Sequence, residues 1–206
     1  FGLKKISKVH TKEFLHQKLW NALHISSSYL IRPLGTLLYD LISEKAFATL
    51  SQISIPKDPK GFELLLLEQS YNERITRYKT TIREYISKKK SIVIFFPTIS
   101  KGIDEYVVRL HSSLSDKQYK DNYTKLSSDP HPLLILSTPS ILPWSRNDLG
   151  LVVIEREHSQ YYFTHGSDGY DQRVVLESLA KGSSIPCLLG SHMLSLRAHM
   201  LHKTKD

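Results

Sequence analysis

The stretch from residue 149 to residue 158, Leu-Gly-Leu-Val-Val-Ile-Glu-Arg-Glu-His, joins a continuous apolar run to a charged cluster. A short run of this kind, rich in β-branched residues, is typical of a strand that is buried on both faces. Four other short apolar runs lie at residues 62–67, 91–96, 133–136 and 187–189. The sequence therefore predicts five buried strands, as expected of a parallel sheet.

Amphipathic segments separate these runs and predict helices at residues 76–90, 103–110, 116–126, 171–181 and 192–201. Apolar strands that alternate with helices indicate an α/β fold, with a mostly parallel sheet and helices on both faces. Ligands of such sheets bind at the carboxyl ends of the strands. We therefore expect the functional residues to follow the strands directly.

The region before the first strand has a different organisation. Apolar residues recur at helical spacing over residues 12–47, and Arg32-Pro-Leu-Gly35 interrupts them as a corner between two helices would. Residues 53–60 contain two prolines and three charges, which is typical of a linker. The predicted domains are a helical segment at 1–52, a linker at 53–60 and an α/β domain at 61–206.

Net charge is distributed unevenly along the 206 residues. The formal charge is +8; the first hundred residues hold 16 Lys and Arg against 8 Asp and Glu, and the rest hold 12 of each. A basic half beside a neutral half indicates a polyanionic partner, and the alternative is a solubilising surface. Lys88, Lys89 and Lys90 could contact DNA phosphates, or could only complement the carboxyl end of a helix.

Composition excludes several classes of protein. The single cysteine excludes an intrachain disulfide and a cysteine-cluster zinc site. The chain lacks an apolar run of the roughly 20 residues needed to span a membrane, and its first residues lack the apolar core of a signal peptide. These features predict a cytoplasmic protein.

Several short motifs, taken in order, resemble the primosomal replication-restart helicase (PriA) family. The segment around Leu19–Leu38 is similar to the region preceding that family's helicase core. The motifs themselves are Ile94–Pro97, His111–Asp116, Ser137–Ser140, Leu149–His158 and Ile185–Ser191. The resemblance implies a P-loop-NTPase-like first helicase lobe and a forked or single-stranded DNA partner, with primosome or single-stranded-DNA-binding proteins as further partners. It also implies DNA contacts by Ser137, Thr138, Tyr162, Tyr170 and Arg173.

The segment at the family's phosphate-binding loop departs from its pattern. The loop GVTGSGKT aligns with Glu68-Gln-Ser-Tyr-Asn-Glu-Arg-Ile75, which has no glycine. Such a loop needs glycines so that backbone N–H groups can surround phosphate, and a side chain forced into a left-handed conformation costs about 1–2 kcal/mol. The degenerate nucleotide-binding positions are Ser70, Asn72, Arg74 and Ile75.

The acidic motif after residue 154 departs as well. The family's DEEH becomes Glu155, Arg156, Glu157 and His158. Arg156 would take the place of the residue that positions the attacking water, and a guanidinium cannot act as a base. We therefore expect no catalytic residue, no ATP hydrolysis and no cofactor, with ATP and Mg²⁺ bound only if the site keeps some affinity.

Two groups of side chains admit alternative interpretations. Tyr161, Tyr162, Phe163 and Tyr170 could stack on bases or pack in the core. His165, His192, His199 and His202 could bind a metal, but their spacing matches no known ligand pattern, so we expect no metal site.

The leading functional hypothesis is a DNA-binding, replication-restart-type protein with a degenerate ATPase site. The first alternative is an active ATP-dependent 3′–5′ DNA helicase seen as a fragment, because the sequence ends near the close of the family's first helicase lobe. The second is a protein-interaction module without enzymatic activity. A resemblance of fold and motifs does not by itself separate these possibilities.

Overall fold

The computed structural model describes residues 15–42, 61–97, 107–164 and 169–204. Within them a single six-stranded sheet has the order β1-β6-β5-β2-β4-β3, and every neighbouring pair is parallel. The strands are β1 Leu64–Glu68, β2 Ser91–Phe95, β3 Val107–Leu110, β4 Leu134–Ser137, β5 Leu149–Glu155 and β6 Cys187–Ser191.

Helices connect these strands and flank the sheet. They are α1 Gln17–Leu30, α2 Leu34–Leu41, α3 Tyr71–Ser87, α4 Asp116–Ser128, α5 Gln172–Gly182 and α6 Leu196–Thr204. Two short 3₁₀ helices lie at Leu142–Ser145 and Gln160–Tyr162. The expected α/β architecture with a parallel sheet is confirmed, and it is consistent with a P-loop-NTPase-like lobe.

One predicted helix is wrong over the part that the structure describes. The local pattern predicts a helix over 103–110, but Val107–Leu110 forms the edge strand β3. Val108 and Leu110 point into the core while Val107 and Arg109 are half-buried, which is the two-residue period of a strand. Pairing with β4 overrides the weak local helical pattern. Residues 103–106 lie outside the described part.

Two helix boundaries also differ from expectation. Helix α3 begins at Tyr71, five residues before the expected start at Thr76. Helix α6 begins at Leu196 instead of His192, because β6 continues through Ser191. Both shifts lie next to the carboxyl ends of strands, where the functional residues are expected.

Successive side chains along each strand point to opposite faces of the sheet and pack in two apolar layers. Val93, Phe95, Val152 and Ile154 pack on one face with α1, α2, α4 and α5, and Ile92, Ile94, Leu151 and Val153 pack on the other with α3. Burial on both faces explains why the central strands β2 and β5 are continuous apolar runs.

The helical segment before the sheet shares this core. Leu19, Leu23, Leu37 and Leu41 of α1 and α2 are buried in the larger apolar layer. The boundary between the two predicted domains stays a prediction. The predicted linker at 53–60 lies outside the described residues. None of the described helices is long and apolar enough to cross a membrane.

Candidate functional site at the carboxyl edge of the sheet

All six strands run in the same direction, so their carboxyl ends form one edge, here called the carboxyl edge. At this edge Glu68 ends β1, Glu155 ends β5 and Ser191 ends β6. Pairing of β1 with β6 and of β6 with β5 brings these three ends side by side. Three of the strand ends that the sequence predicts to hold functional residues therefore lie side by side.

The connection from β1 to α3 is a two-residue turn, Gln69 and Ser70, and the helix starts at once. The backbone N–H of Ser70 donates to the Glu73 carboxylate at 3.0 Å, and the Ser70 hydroxyl donates to it at 2.6 Å. These hydrogen bonds lower the pKa of Glu73. A negative side chain thus lies at the helix start, where the helix dipole favours an anion.

Arg74, Tyr78 and Glu155 form a buried cluster between α3 and the end of β5. Arg74 Nη2 lies 2.6 Å from Glu155 Oε1, and Arg74 Nε donates to Glu155 Oε2 at 3.1 Å. Arg74 Nη1 donates to the Gln69 carbonyl at 2.6 Å, and the Tyr78 hydroxyl donates to Glu155 Oε2 at 2.6 Å. All three cluster side chains are at most 4% exposed, so the ion pair is shielded from water.

Burial and charge act on the cluster in opposite directions. Burial disfavours the charge on Arg74, but hydrogen bonding and attraction to Glu155 outweigh it and raise the pKa of the guanidinium. Burial, followed by the Glu155 charge, raises the pKa of Tyr78. The cluster therefore holds a cation, an anion and a neutral phenol, and none of these is a base available for proton transfer.

Gly190 on β6 provides the space that the Tyr78 hydroxyl occupies. A Cβ atom at residue 190 would lie 1.8 Å from that hydroxyl and 3.0 Å from Glu155 Oε2. Gly190 belongs to the Ile185–Ser191 motif, at a strand end where the sequence predicts a ligand, whereas no motif includes Tyr78. The sequence does contain a signal for Tyr78. Arg74 and Tyr78 are four residues apart, on the helix face that also carries Ile75 and Ile82, and this apolar face packs on the sheet.

Glu157 belongs to a second buried network and holds the start of α6. Its carboxylate accepts from the Ser195 backbone N–H at 2.9 Å and from the Ser195 hydroxyl at 2.6 Å. Arg173 donates to the Glu157 carbonyl and forms two 2.8 Å hydrogen bonds with Asp171. Glu157 is fully buried, so its role is to stabilise the structure around the start of α6.

Arg156 and His158 alternate with these buried acids and are exposed. Arg156 has a left-handed backbone, with φ of 56°, at the turn after β5. His158 Nδ1 lies 2.5 Å from Ser191 Oγ, and its ring meets the His192 ring edge-on with centroids 4.5 Å apart. Burial, then the neighbouring His192, lowers the pKa of His158. Within the described ranges, no three His, Cys, Asp or Glu side chains lie together as a metal site.

The predicted DNA-binding residues separate into groups. Tyr162 is fully buried, with its hydroxyl 2.9 Å from the Phe95 carbonyl and 2.7 Å from the Glu155 carbonyl. Tyr170 and Arg173 are also buried, and Arg173 is held by Asp171. These positions leave the tyrosines no open ring face for a base, so we do not propose the three residues as DNA contacts. Tyr161 and Phe163 are the exposed rings of this segment.

Ser137 and Thr138 end β4 beside an open cleft of about 420 Å³. Ser137 is buried and its hydroxyl donates to the Thr138 carbonyl at 2.6 Å, whereas Thr138 is half-buried. The cleft is also lined by Asp40, His111 and Ser140. This cleft offers space for a ligand beside β3 and β4, and a more open depression of about 470 Å³ lies at the start of α3, lined by Gln69, Asn72 and Glu73.

Lys88, Lys89 and Lys90 lie at the turn between α3 and β2, at the amino end of the sheet. Lys88 pairs with Glu84 of the same helix, and Lys89 is exposed. The lysines and Thr138 therefore lie at opposite edges, and one short segment of nucleic acid could not contact both.

The chain is similar to replication restart proteins over much of its length. It is 29% identical to the replication restart protein PriA of Helicobacter pylori over 138 residues, which are 62% of this chain and 22% of that protein. It is 25% identical to the PriA of Buchnera aphidicola over 152 residues, which are 68% of this chain and 21% of that protein. The chain thus spans about a fifth of the length of these curated relatives.

No protein-family model matches the chain. The similarity that the ordered motifs predicted is nevertheless confirmed, and the chain is a partial, PriA-like relative.

Proposed function

We propose that this chain is a DNA-binding protein of the replication-restart type that acts without hydrolysing ATP. The observation that carries the proposal is the Arg74–Glu155–Tyr78 cluster, at the end of the sheet where the PriA-like motifs would hold nucleotide. Forked or single-stranded DNA is the proposed partner, with primosome proteins as further partners and a cytoplasmic location.

The residues present do not fit ATP with Mg²⁺. A phosphate group needs backbone N–H donors around it, and here the Glu73 carboxylate lies at the helix start. A metal needs an accessible carboxylate, and Glu155 is 1% exposed and already bound by Arg74 and Tyr78. We therefore expect no ATP at this position.

The first prediction concerns ATP. Neither the protein alone nor the protein with forked DNA should release phosphate from ATP above background, because Arg74 and Glu155 are bound to each other and the Glu73 carboxylate lies at the start of α3. Steady-state phosphate release is the measurement. A DNA-stimulated turnover near the ~1–100 s⁻¹ of phosphoryl-transfer enzymes would support the alternative of an active helicase fragment.

Single repairs of the motifs serve as controls for this prediction. Arg156→Glu restores a carboxylate and Arg74→Lys restores an ammonium, but neither opens the two-residue turn at Gln69 and Ser70. Groups that act as one catalytic unit are strongly non-additive, so both variants should bind ATP as weakly as the parent in calorimetry. Micromolar affinity in either variant would show that the turn can already hold phosphate.

The second prediction concerns DNA. Replacing Lys88, Lys89 and Lys90 with Ala should weaken binding of forked DNA equally across sequences and reduce its salt dependence, because phosphate contacts release counterions. Fluorescence anisotropy at several salt concentrations measures both effects. If the parent protein binds no DNA at low salt, the proposal fails and the protein-interaction module takes its place.

A further inference from the structure

A groove between α1 and α5 lies apart from the carboxyl edge. It encloses about 310 Å³ and is lined from α1 by Lys18, Ala22 and Ile25, and from α5 by Ser178 and Lys181. The end of α5 leads into β6, so the Lys181 end of the groove lies toward the amino end of the sheet. This surface, here called the α1–α5 groove, is therefore separate from the Arg74–Glu155–Tyr78 cluster.

A close crossing of the two helices forms the groove. A Cβ atom at Gly182 would lie 2.9 Å from Ala22 Cβ and 3.1 Å from the Lys18 carbonyl oxygen. Leu19 and Leu23, on the inner side of α1, are fully buried in the core. Because packing fixes both helices, the groove is present without a partner and costs little to organise on binding.

An exposed apolar stripe runs along α1 beside the groove. Ala22, Ile25 and Tyr29 follow each other at spacings of three and four residues, so they lie along one side of the helix. Ile25 is 66% exposed, and Tyr29, one turn further on, is 71% exposed. Burying Ile25 against an apolar side chain would therefore remove apolar surface from water and favour binding.

The charge of the groove has one sign. The charged residues that line it are Lys18 and Lys181; both are exposed, and neither forms an ion pair within the described part of the chain. Helix α1 contains no Asp or Glu, and the one acid of α5, Glu177, is bound by Arg197. An apolar surface thus lies between two cations that no neighbouring carboxylate compensates.

We infer that the α1–α5 groove binds a short acidic segment of a partner protein, which packs an apolar side chain on Ile25 and places carboxylates near Lys18 and Lys181. The apolar contact supplies binding energy, and the charges select acidic segments and reject basic ones. A volume at the small end of the range for ligand pockets suits one anchoring side chain. The inference goes beyond the proposed function, since it requires neither DNA nor nucleotide.

The nucleic acid backbone complements this groove less well than an acidic peptide does. Two lysines supply two phosphate contacts at most, and a phosphate backbone has no apolar group to cover Ile25. A peptide offers both kinds of group within a few residues.

Selection from a phage library of random 12-residue peptides against the full chain tests the inference. We expect the enriched sequences to combine Asp or Glu with Leu, Ile or Phe. The most enriched peptide is then synthesised with a fluorescent label, and anisotropy gives its affinity. A selection that enriches no acidic and apolar sequences would overturn the inference.

A charge reversal shows whether the lysines select the peptide. Lys18→Glu with Lys181→Glu reverses the charge of the groove, and Lys117→Glu with Lys120→Glu makes the same change of net charge at exposed positions of α4. We expect the first pair to weaken the labelled peptide by about tenfold or more, and the control pair by less than about threefold, because separated surface charges are screened by salt. Equal losses would show an effect of net charge alone, and the inference would be wrong.

A second variant tests the apolar contact independently. Ile25→Ser should weaken the labelled peptide by about fivefold or more, because the buried apolar area is lost. Leu196→Ser is its control, since Leu196 on α6 is 76% exposed and lies outside the groove. Unchanged affinity in Ile25→Ser would contradict the inferred site. The replaced side chains are exposed, so circular dichroism should show the parent's fold in every variant.

Other occupants of the groove give different results. If forked DNA displaces the peptide, and the groove charge reversal weakens DNA more than its control does, the groove serves nucleic acid and the inference is wrong. If the parent forms a dimer in sedimentation velocity that Ile25→Ser abolishes, a second copy fills the groove and the inference is also wrong. Both results leave the proposed function standing, whereas a parent that binds no forked DNA overturns the proposed function and not this inference.

Discussion

Glu155→Ala should destabilise the protein by about 3–5 kcal/mol, because it leaves the Arg74 guanidinium buried without its carboxylate. Arg74 is 3% exposed and Tyr78 also loses its acceptor, so neither group can recover its hydrogen bonds from water without local unfolding. Since typical domains are stable by about 5–15 kcal/mol, this loss is a large fraction of the whole. Urea unfolding followed by tryptophan fluorescence measures it.

A matched control and a double replacement make this prediction specific. Glu84→Ala breaks an ion pair that is about half exposed, with Lys88 on the same helix, and should change stability by less than about 1 kcal/mol. Replacing both partners, Arg74→Met with Glu155→Leu, should recover most of the loss, since apolar residues of similar volume often replace a buried ion pair at little cost. A loss below about 1 kcal/mol for Glu155→Ala would mean that the cluster is open to water.

Gly190→Ala is expected to have the second large effect. The added Cβ would lie 1.8 Å from the Tyr78 hydroxyl, so α3 must move away from β6 or the Tyr78 ring must leave its place. Overpacking of this kind costs about 1–3 kcal/mol. Gly35→Ala is the control: nothing lies within 4 Å of its added Cβ in α2, so it should stabilise the helix slightly.

A double-mutant cycle tests whether the hydroxyl causes this effect. Tyr78→Phe removes the atom that collides and leaves the ring carbon Cζ, which would be 3.1 Å from the new Cβ. Gly190→Ala should therefore cost clearly less in the Tyr78→Phe variant than in the parent, measured by the same urea titrations. Equal costs in the two backgrounds would show that the collision involves another atom and that Tyr78 does not fill this space.

Local pattern was sufficient for most of the fold. Buried strands such as Ser91–Phe95 and Leu149–Glu155 could be predicted because burial on both faces requires continuous apolar residues. The edge strand Val107–Leu110 could not be predicted in this way. Its four residues include Arg109, a residue type that is usually exposed, and its extended conformation depends on pairing with β4, which is distant in sequence.

The candidate site divides in the same way. The loss of glycines at residues 68–75 and the arginine at 156 are visible in the sequence, and they indicate a departure from the PriA-like pattern without knowledge of any contact. The sequence could not show that Arg74 turns inward onto Glu155, since the two residues are 81 positions apart. It could not show that Tyr162 and Tyr170 are buried while Tyr161 and Phe163 are exposed.

The sequence by itself determined five of the six strands, the order of the motifs and the positions at which phosphate-binding residues are replaced, because these are properties of neighbouring residues and their spacing. The tertiary structure decided what the replacements do. Parallel pairing of β1, β6 and β5 brings Glu155 and Gly190 under α3, where low exposure makes a close ion pair strong and an unpaired charge costly. Whether a charged side chain faces a ligand or a partner within the protein depends on that juxtaposition, which no local pattern encodes.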